Sequence, residues 1–407
     1  MRIALLTYRG NPYSGGQGVY VRHLSRALRD AGHHVTVLSG PAYPDLDPGV
    51  RLVRVPSLDL YSAIEGGVPA WKRIRGPADG VEYALGRTGV FSEPLAFGLR
   101  ALAWLARHRD FDVVHDNQSL SYPLLAIPRV AAPAIATIHH PIHVDLKFAL
   151  QGAETRSSRR EIRRWYRFLR MQGAVARRLP AVITVSDQAR LDTARHFRID
   201  PAKVHRVYNG VDTERFAAHE DVRRVLNRIV VVNSADQEIK GLRYLYPTIE
   251  RIAAKRDVEV LVVGSPRNPA LVGEELRRRG IADRVRFLGK LPEDQLARVY
   301  CSASVAVVPS RYEGFGLPAA EALASSVPVV AFAAGALPEV LGADGMTGRI
   351  VPLGDTDAMA EAVIELLDDP VRSLRLGAAG RQRVLERFSW DRAAEETVRV
   401  YREATTC

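Results

Sequence analysis

The stretch that decides the fold is "VAVVPSRYEGFGLPAAEALASSVPVVAF", Val305–Phe332. An apolar run, "VAVVPS", is followed by a helical pattern, "PAAEALASS", and then by a second apolar run, "PVVAF". Short runs continuous in apolar residues suit strands buried on both faces, and a helix between two of them suits a parallel sheet. Two glutamates stand eight apart, Glu313 and Glu321, with Gly314, Gly316 and Pro318 between them. Glycine and proline break regular elements, so this is not a same-face helical pair. Glu313 is expected on a loop just past the carboxyl end of its strand. Glu321 is expected in the first turn of the following helix. The amides of Gly314, Phe315, Gly316 and Leu317 are then bare at a helix start, where the dipole favours negative charge. The plainer alternative is a capping glutamate beside a surface-loop glutamate.

The same alternation runs outward in both directions. Before it lie "RIVVVNSA", "VEVLVVGS" and "RVRFLGK", separated by helical patterns; after it come "TGRIVP" and a further helix. The first half repeats the design with "RIALLTY", "HVTVLSG", "VRLVRVP", "FDVVHDN", "AIATIHH" and "AVITVS". Strands alternating with helices imply doubly wound α/β sheets. At 407 residues the chain exceeds one ordinary core,. The expectation is two Rossmann-like domains, 1–200 and 201–388, with the closing amphipathic helix 389–407 returning to the first. Their parallel sheets are expected to face one another across a deep cleft, because such sheets bind ligands at the carboxyl ends of their strands.

Hydrophobic residues make up 47% and charged residues 25%, the composition of a soluble globular protein,. Two cysteines, Cys301 and Cys407, offer neither a disulfide framework nor a metal cluster,. The N-terminal apolar run is too short for a signal peptide, and no charge-free and proline-free apolar run is long enough to span a bilayer. A cytoplasmic location is expected, with peripheral contact on the inner face of the cell membrane as an option. The net charge of +11 is unevenly placed. Residues 1–200 hold 28 Lys+Arg against 17 Asp+Glu, and residues 201–407 hold 29 of each. Much of the excess lies in Thr155–Arg178, with nine arginines and one glutamate. That segment reads either as a long surface helix whose arginine stems cover the core, or as a contact for an anionic membrane or acceptor. Its aromatics sit with the apolar positions, which disfavours nucleic acid.

Other residues qualify as candidates. "YSGGQGVYV" carries Gly15, Gly16 and Gly18 between the first strand and the first helix. It is either a tight turn or an anion contact at a helix N-terminus, and its spacing does not match the dinucleotide fingerprint. Lys240, followed by Gly241, lies between a strand and a helix, where it reaches a phosphate or stays solvated. "TIHHPIH" places His139, His140 and His143 at a strand end. No neighbouring carboxylate or cysteine completes a known zinc spacing, so no metal site is expected and a cleft-facing histidine is the alternative.

Taken together, "GGQG", "TIHH", "VSDQA", "YNGVD", "KGL", "EGFGLPAAEA" and "FSWDRAAEE" resemble, in order and over nearly the whole chain, the retaining GT-B glycosyltransferases of family 4. The resemblance implies transfer of a hexose, with retention, from a nucleoside-diphosphate sugar to an acceptor hydroxyl in glycolipid, cell-envelope glycan or glycoconjugate synthesis. It implies no metal and no cofactor beyond the donor itself. The acceptor would be a glycan, a lipid-linked or a small molecule. Glu313 would touch the donor sugar, with Gly314, Phe315, Gly316 and Leu317 on its hydroxyls and the diphosphate. Glu321 would hold the ribose and Lys240 the leaving diphosphate. His139 would approach the sugar, Gly15 and Gly16 would close on the diphosphate, and residues around Gly264 and Phe287–Lys290 would cradle the base. The sequence departs from the family pattern at Ala235, where an arginine is common, and at His140, where an aspartate is common. Competing readings are a GT-B epimerase or phosphorylase, a catalytically weakened nucleotide-sugar-binding protein, and a glycoside hydrolase using the paired glutamates.

Overall fold

The computed structural model describes the chain except residues 12–15, 61–68, 220, 233–237, 267 and 407. Among the described residues two compact units are present: one holds the chain up to Val207 together with Ala393 onward, and the other holds Tyr208–Arg392.

The first unit is built on β1 (Arg2–Thr7), β2 (His34–Ser39), β3 (Arg51–Arg54), β4 (Val113–Asn117), β5 (Ala134–Ile138), β6 (Val182–Thr184) and β7 (Val204–Arg206). Their order is β3-β2-β1-β4-β5-β6-β7. Every pairing is parallel, with Leu5 of β1 opposite both Val37 and His115. All residues of β4, β5 and β6 are buried, as strands covered on both faces must be,.

The second unit repeats the plan with β8 (Arg228–Val232), β9 (Glu259–Val263), β10 (Val285–Gly289), β11 (Val305–Val308), β12 (Val329–Phe332) and β13 (Gly348–Val351). The order is β10-β9-β8-β11-β12-β13, again all parallel. In both sheets the winding reverses once, between β1 and β4 and between β8 and β11. A crevice opens outside the carboxyl ends of two such strands, because their connections leave in opposite directions.

Two segments differ from their sequence reading. The arginine-rich stretch is not one long helix. It is a helix Arg156–Trp165, a tight turn Tyr166–Phe168 and a second helix Leu169–Ala176. Thr155 and Ser158 form a capping box at its start,. The first helix buries no residue, whereas Phe168, Leu169, Met171 and Val175 turn into the core. The break is where the buried face begins. The second difference is the helix Pro370–Arg387, which the sequence pattern did not announce. It lies hard against the helix Leu317–Ala324. A Cβ on Gly377 would come within 2.2 Å of the Ser326 carbonyl oxygen, and one on Gly380 within 2.6 Å of Leu323 Cδ2. Small residues are what permit the approach.

The final helix runs Trp390–Thr406, and Ser389 Oγ accepts from Arg392 N at 3.2 Å, a capping contact. Its start packs on Gly210, whose Cβ would meet Trp390 N at 2.4 Å. Its later part belongs to the first unit, where Tyr401 is fully buried.

Alanine at Gly377 gains about 1 kcal/mol of helix propensity on an exposed surface. Here it overpacks, at a cost of about 1–3 kcal/mol or more. Gly377→Ala is therefore expected to lower Tm; an unchanged or raised Tm in calorimetry would show the two helices are free to part.

Candidate active site

In the second unit the reversal between β8 and β11 brings two candidate residues together. β11 ends at Val308 and the chain continues through Pro309 and Ser310 to Glu313. Lys240 ends the short turn Glu238–Lys240 that follows β8. Two backbone contacts hold the loops in register. Arg311 N donates to Ile239 O at 2.8 Å. Gly241, at φ 71°, sits so close that a Cβ would meet the Pro309 carbonyl oxygen at 1.9 Å. Lys240 Nζ then donates to Glu313 Oε1 at 2.8 Å, and Ser310 Oγ donates to the same oxygen at 2.7 Å. Glu313 is 8% exposed, and these two donors satisfy its Oε1 away from bulk water,.

The glycines between the glutamates do what their spacing suggests. Gly316 caps the helix Leu317–Ala324 at φ 101°, and Pro318 lies in its first turn. Pro318 has no N–H and Ala319 N donates to Gly316 O at 3.0 Å, so of the first-turn positions it is the Leu317 amide that lies at the open end of the helix,. Phe315 is buried and packs against Phe388 at 5.3 Å and Tyr208 at 6.2 Å, which anchors the loop from beneath.

Glu321 is not in the first turn. Because Gly316 is the cap and Leu317 the first helical residue, it falls in the second turn. The Tyr300 hydroxyl donates to Pro318 O at 3.0 Å and lies 3.3 Å from Glu321 Oε2. Desolvation, with Glu293 adding repulsion, pushes the Glu321 carboxyl up to about 8. Gly264 N donates to Gly289 O at 2.7 Å, which joins the ends of β9 and β10 where the base cradle is expected.

One residue of this loop cluster escaped sequence reading. Gly335, at φ 55°, sits where a Cβ would meet Glu313 O at 2.2 Å and Glu313 N at 2.7 Å. The next residue, Ala336, donates its amide to Glu313 O at 2.9 Å. The available signal was a glycine three positions after the end of the strand "PVVAF".

In the first unit His139 follows β5 immediately. It is half-buried and stands edge-on to Tyr20 at 4.6 Å. Burial first, then His140 and His115, push its ring down to about 3, so it is neutral near pH 7. A chain of hydrogen bonds sets its tautomer. Thr7 Oγ1 donates to Arg9 O at 2.7 Å, so its oxygen accepts from Asn117 Nδ2 at 3.4 Å. Asn117 Nδ2 also faces Gln17 O at 3.4 Å. Asn117 Oδ1 therefore faces His139 Nε2 at 2.6 Å and accepts a hydrogen bond from its N–H. Nδ1 is left as the ring's lone-pair acceptor. Gln118 holds the backbone: His139 N donates to Gln118 Oε1 at 2.8 Å, and Gln118 Nε2 donates to His140 O at 2.8 Å. Asn117 and Gln118 were missed by sequence reading. Their signal was the polar run "HDNQS" at a strand end, with all five residues buried.

The three histidines of "TIHHPIH" go to three different partners. His139 takes Asn117, His140 Nε2 lies 2.7 Å from Asp145 Oδ2, and His143 stacks on His196 at 5.3 Å. Gly16 caps the helix Gln17–Asp30 at φ 70°, with nothing within 4 Å of where a Cβ would stand. Gly15 and Ala235 lie outside the described residues.

The Glu321 shift makes a pH prediction. Its carboxyl is at about 8 in the folded chain against 4.5 as a free group. A raised acid contributes stability that is complete below about 4.5 and lost as pH rises through about 8. Glu321→Gln removes that dependence. In urea titrations at about pH 5 and about pH 9, the wild type is expected to lose more stability than the variant. Equal losses would place the Glu321 carboxyl in a wet site.

The sequence comparisons agree with this geometry. Residues 14–215 match the family described as Glycosyltransferase Family 4, and residues 227–369 match Glycosyl transferases group 1. The MMP alpha-(1->4)-mannosyltransferase of Mycolicibacterium hassiacum is 45% identical over 99% of this chain and 98% of its own length. The D-inositol 3-phosphate glycosyltransferase 2 of Catenulispora acidiphila is 30% identical over 98% of this chain and 94% of its own. Among solved structures, sucrose-phosphate synthase from Thermosynechococcus elongatus superposes with a TM-score of 0.75 at 24% identity, covering 98% of both chains. Anabaena HepE in complex with UDP and glucose gives 0.73 at 14% identity, again over 98% of each. Two parallel doubly wound sheets, a glutamate pair around a glycine-rich helix start, and relatives aligned from end to end lead to one conclusion: the chain belongs to the group 1, family 4 glycosyltransferases of GT-B fold.

Proposed function

We propose that this glycosyltransferase moves a hexose, with retention, from a nucleoside-diphosphate sugar to an acceptor hydroxyl. The observation that carries the reading is the Lys240–Glu313 ion pair, set at the β8/β11 reversal beside the glycine-capped start of the helix Leu317–Ala324. Charge grows on the diphosphate as the glycosidic bond breaks. Lys240 and the amides at Gly314–Leu317 are preorganised donors for it, usually the largest catalytic contribution. The departing phosphate oxygen takes the acceptor's proton on the face it leaves. Glu313 orients the sugar and holds Lys240, and forms no covalent intermediate. Glu321 binds the ribose hydroxyls. On the family resemblance, neutral His139, Gly15 and Gly16 serve the same donor, His139 through Nδ1.

Lysine and amide donors neutralise the diphosphate without a metal, and no cofactor is assigned. Mannose is the proposed sugar, supported by the name of the 45% identical mannosyltransferase; a cell-envelope glycan is the acceptor class proposed on the family resemblance. No helix among the described residues is long and apolar enough to cross a membrane. Peripheral contact of Thr155–Arg178 with the anionic inner face of the cell membrane forms part of the proposal.

Lys240→Ala is expected to lower kcat by about 10²–10³-fold with little change in KM, because its charge acts mainly on the leaving group. Near-wild-type turnover with a productive acceptor would take Lys240 off the diphosphate. Activity is expected to survive a chelator; its loss, restored by a divalent ion, would overturn metal independence. In a thermal screen, a cognate nucleoside diphosphate at about 100 times its Kd stabilises by ~2.7 kcal/mol. A flat response to every nucleoside diphosphate would remove the donor assignment.

A further inference from the structure

A second concave feature lies wholly within the first unit and is lined by no residue assigned to the donor. It is an open groove of about 1060 Å³. Its walls come from the helices His143–Gln151, Arg156–Trp165 and Leu169–Ala176 and from the end of Asp187–Phe197. Seven arginines line it: Arg160, Arg163, Arg164, Arg167, Arg170, Arg177 and Arg198. Leu146, Leu150 and Leu169 supply an apolar part of the lining.

These arginines are not neutralised by the fold. Arg177 Nη1 donates to Phe197 O at 2.8 Å, and none of the seven lies within ion-pair distance of a described carboxylate. Nearby acids have other partners. Asp145 accepts from His140, Glu161 from Ser157 at 3.4 Å, and Asp192 from Gln188 at 3.0 Å. Elsewhere the chain brackets its arginines with acids: Arg215 pairs with Glu293 and Asp294, and Arg279 with Glu250 and Glu275. Like charges gathered in one concavity repel and oppose folding unless a counter-charge enters. The break at Tyr166–Phe168 is what curves the arginines around the groove, since a single straight helix would spread them along a convex face.

We propose that this groove is a binding site for a phosphate-bearing anion of at least two negative charges, with an apolar portion that lies on the leucines. Guanidinium forks match phosphate oxygens two at a time, which lysine cannot do. The ligand is either a lipid headgroup or a soluble phosphate ester. The site deepens the proposed anionic contact of Thr155–Arg178 and is independent of the donor reading, because none of the residues assigned to the donor lines it.

The test uses the full chain and two triple variants of equal charge loss. One is Arg163→Ala, Arg167→Ala and Arg170→Ala, all exposed groove residues; the control is Arg129→Ala, Arg277→Ala and Arg375→Ala, exposed and outside it. In the soluble arm, calorimetry with inorganic tripolyphosphate is run at about 0.15 M salt, where loose charge attraction is largely screened. The groove variant is expected to lose affinity by about tenfold or more while the control stays close to wild type. In the membrane arm, flotation compares vesicles of phosphatidylglycerol with phosphatidylcholine against phosphatidylcholine alone. Flotation by the wild type and control only, and only with phosphatidylglycerol, identifies a lipid headgroup. Tripolyphosphate binding without flotation identifies a soluble ester. The proposal is overturned if the two variants behave alike in both arms, or if the wild type binds neither probe. Unliganded, the groove variant is expected to melt above wild type at low salt, since it has lost repulsion and no hydrogen bond or ion pair among the described residues,. That keeps misfolding from being mistaken for lost binding.

Discussion

The contact on which the proposed chemistry depends is a backbone one. Gly241 presses against the Pro309 carbonyl, and Ile239 O accepts from Arg311 N. Only glycine fits there, at a positive φ and with no room for a Cβ. That approach ties the loop after β8 to the loop after β11, and the Lys240–Glu313 pair follows from it. The pair joins residues 73 positions apart in the chain, across a sheet reversal that parallel winding creates. Gly335 closes the third side by bringing the loop after β12 onto the Glu313 backbone. Three strand ends and two obligate glycines thus hold one carboxylate in place before any ligand arrives. Such preorganisation is what lets fixed donors stabilise developing charge without reorganising.

The first unit solves a similar problem with side chains. The end of β4 is polar and buried, an arrangement that is costly unless every group is satisfied. Asn117 and Thr7 satisfy one another and fix the ring and tautomer of His139, while Gln118 is satisfied by the His139 amide and the His140 carbonyl and holds the backbone there. Deeper in, His115 lies 2.7 Å from both Tyr401 Oη and Thr137 Oγ1. Burial pushes His115 down to about 3, so this network stays neutral. The C-terminal helix is therefore tied to the sheet by a hydrogen bond as well as by apolar packing.

Much of the architecture was legible from hydrophobic runs, because strands buried on both faces read as unbroken Val, Ile, Leu and Ala. The glutamate pair, Lys240, His139 and the Gly316–Pro318 helix start were legible as residue types at strand ends. Three things were not. The helix Pro370–Arg387 was hidden by Gly377 and Gly380, whose low propensity is offset by close packing that appears only once the neighbouring helix is in place. Glu321 was read one turn too early, because the cap is set by the backbone of Gly316 and not by the proline. The arginine-rich segment read as one helix, since its charge pattern conceals the change of buried face at Phe168.

By itself the sequence determined the local elements, the parallel character of both sheets, the glycine punctuation and the inventory of chemically capable residues. Those depend on patterns spanning a few residues, and elementary sterics and burial read them directly. The tertiary structure alone decided that Lys240 meets Glu313, that Asn117 sets the proton of His139, and that seven arginines converge on one groove. Each of those joins side chains whose separation is governed by strand order, register and helix breaks. No local pattern encodes that distance, because it is a property of how distant segments share one core.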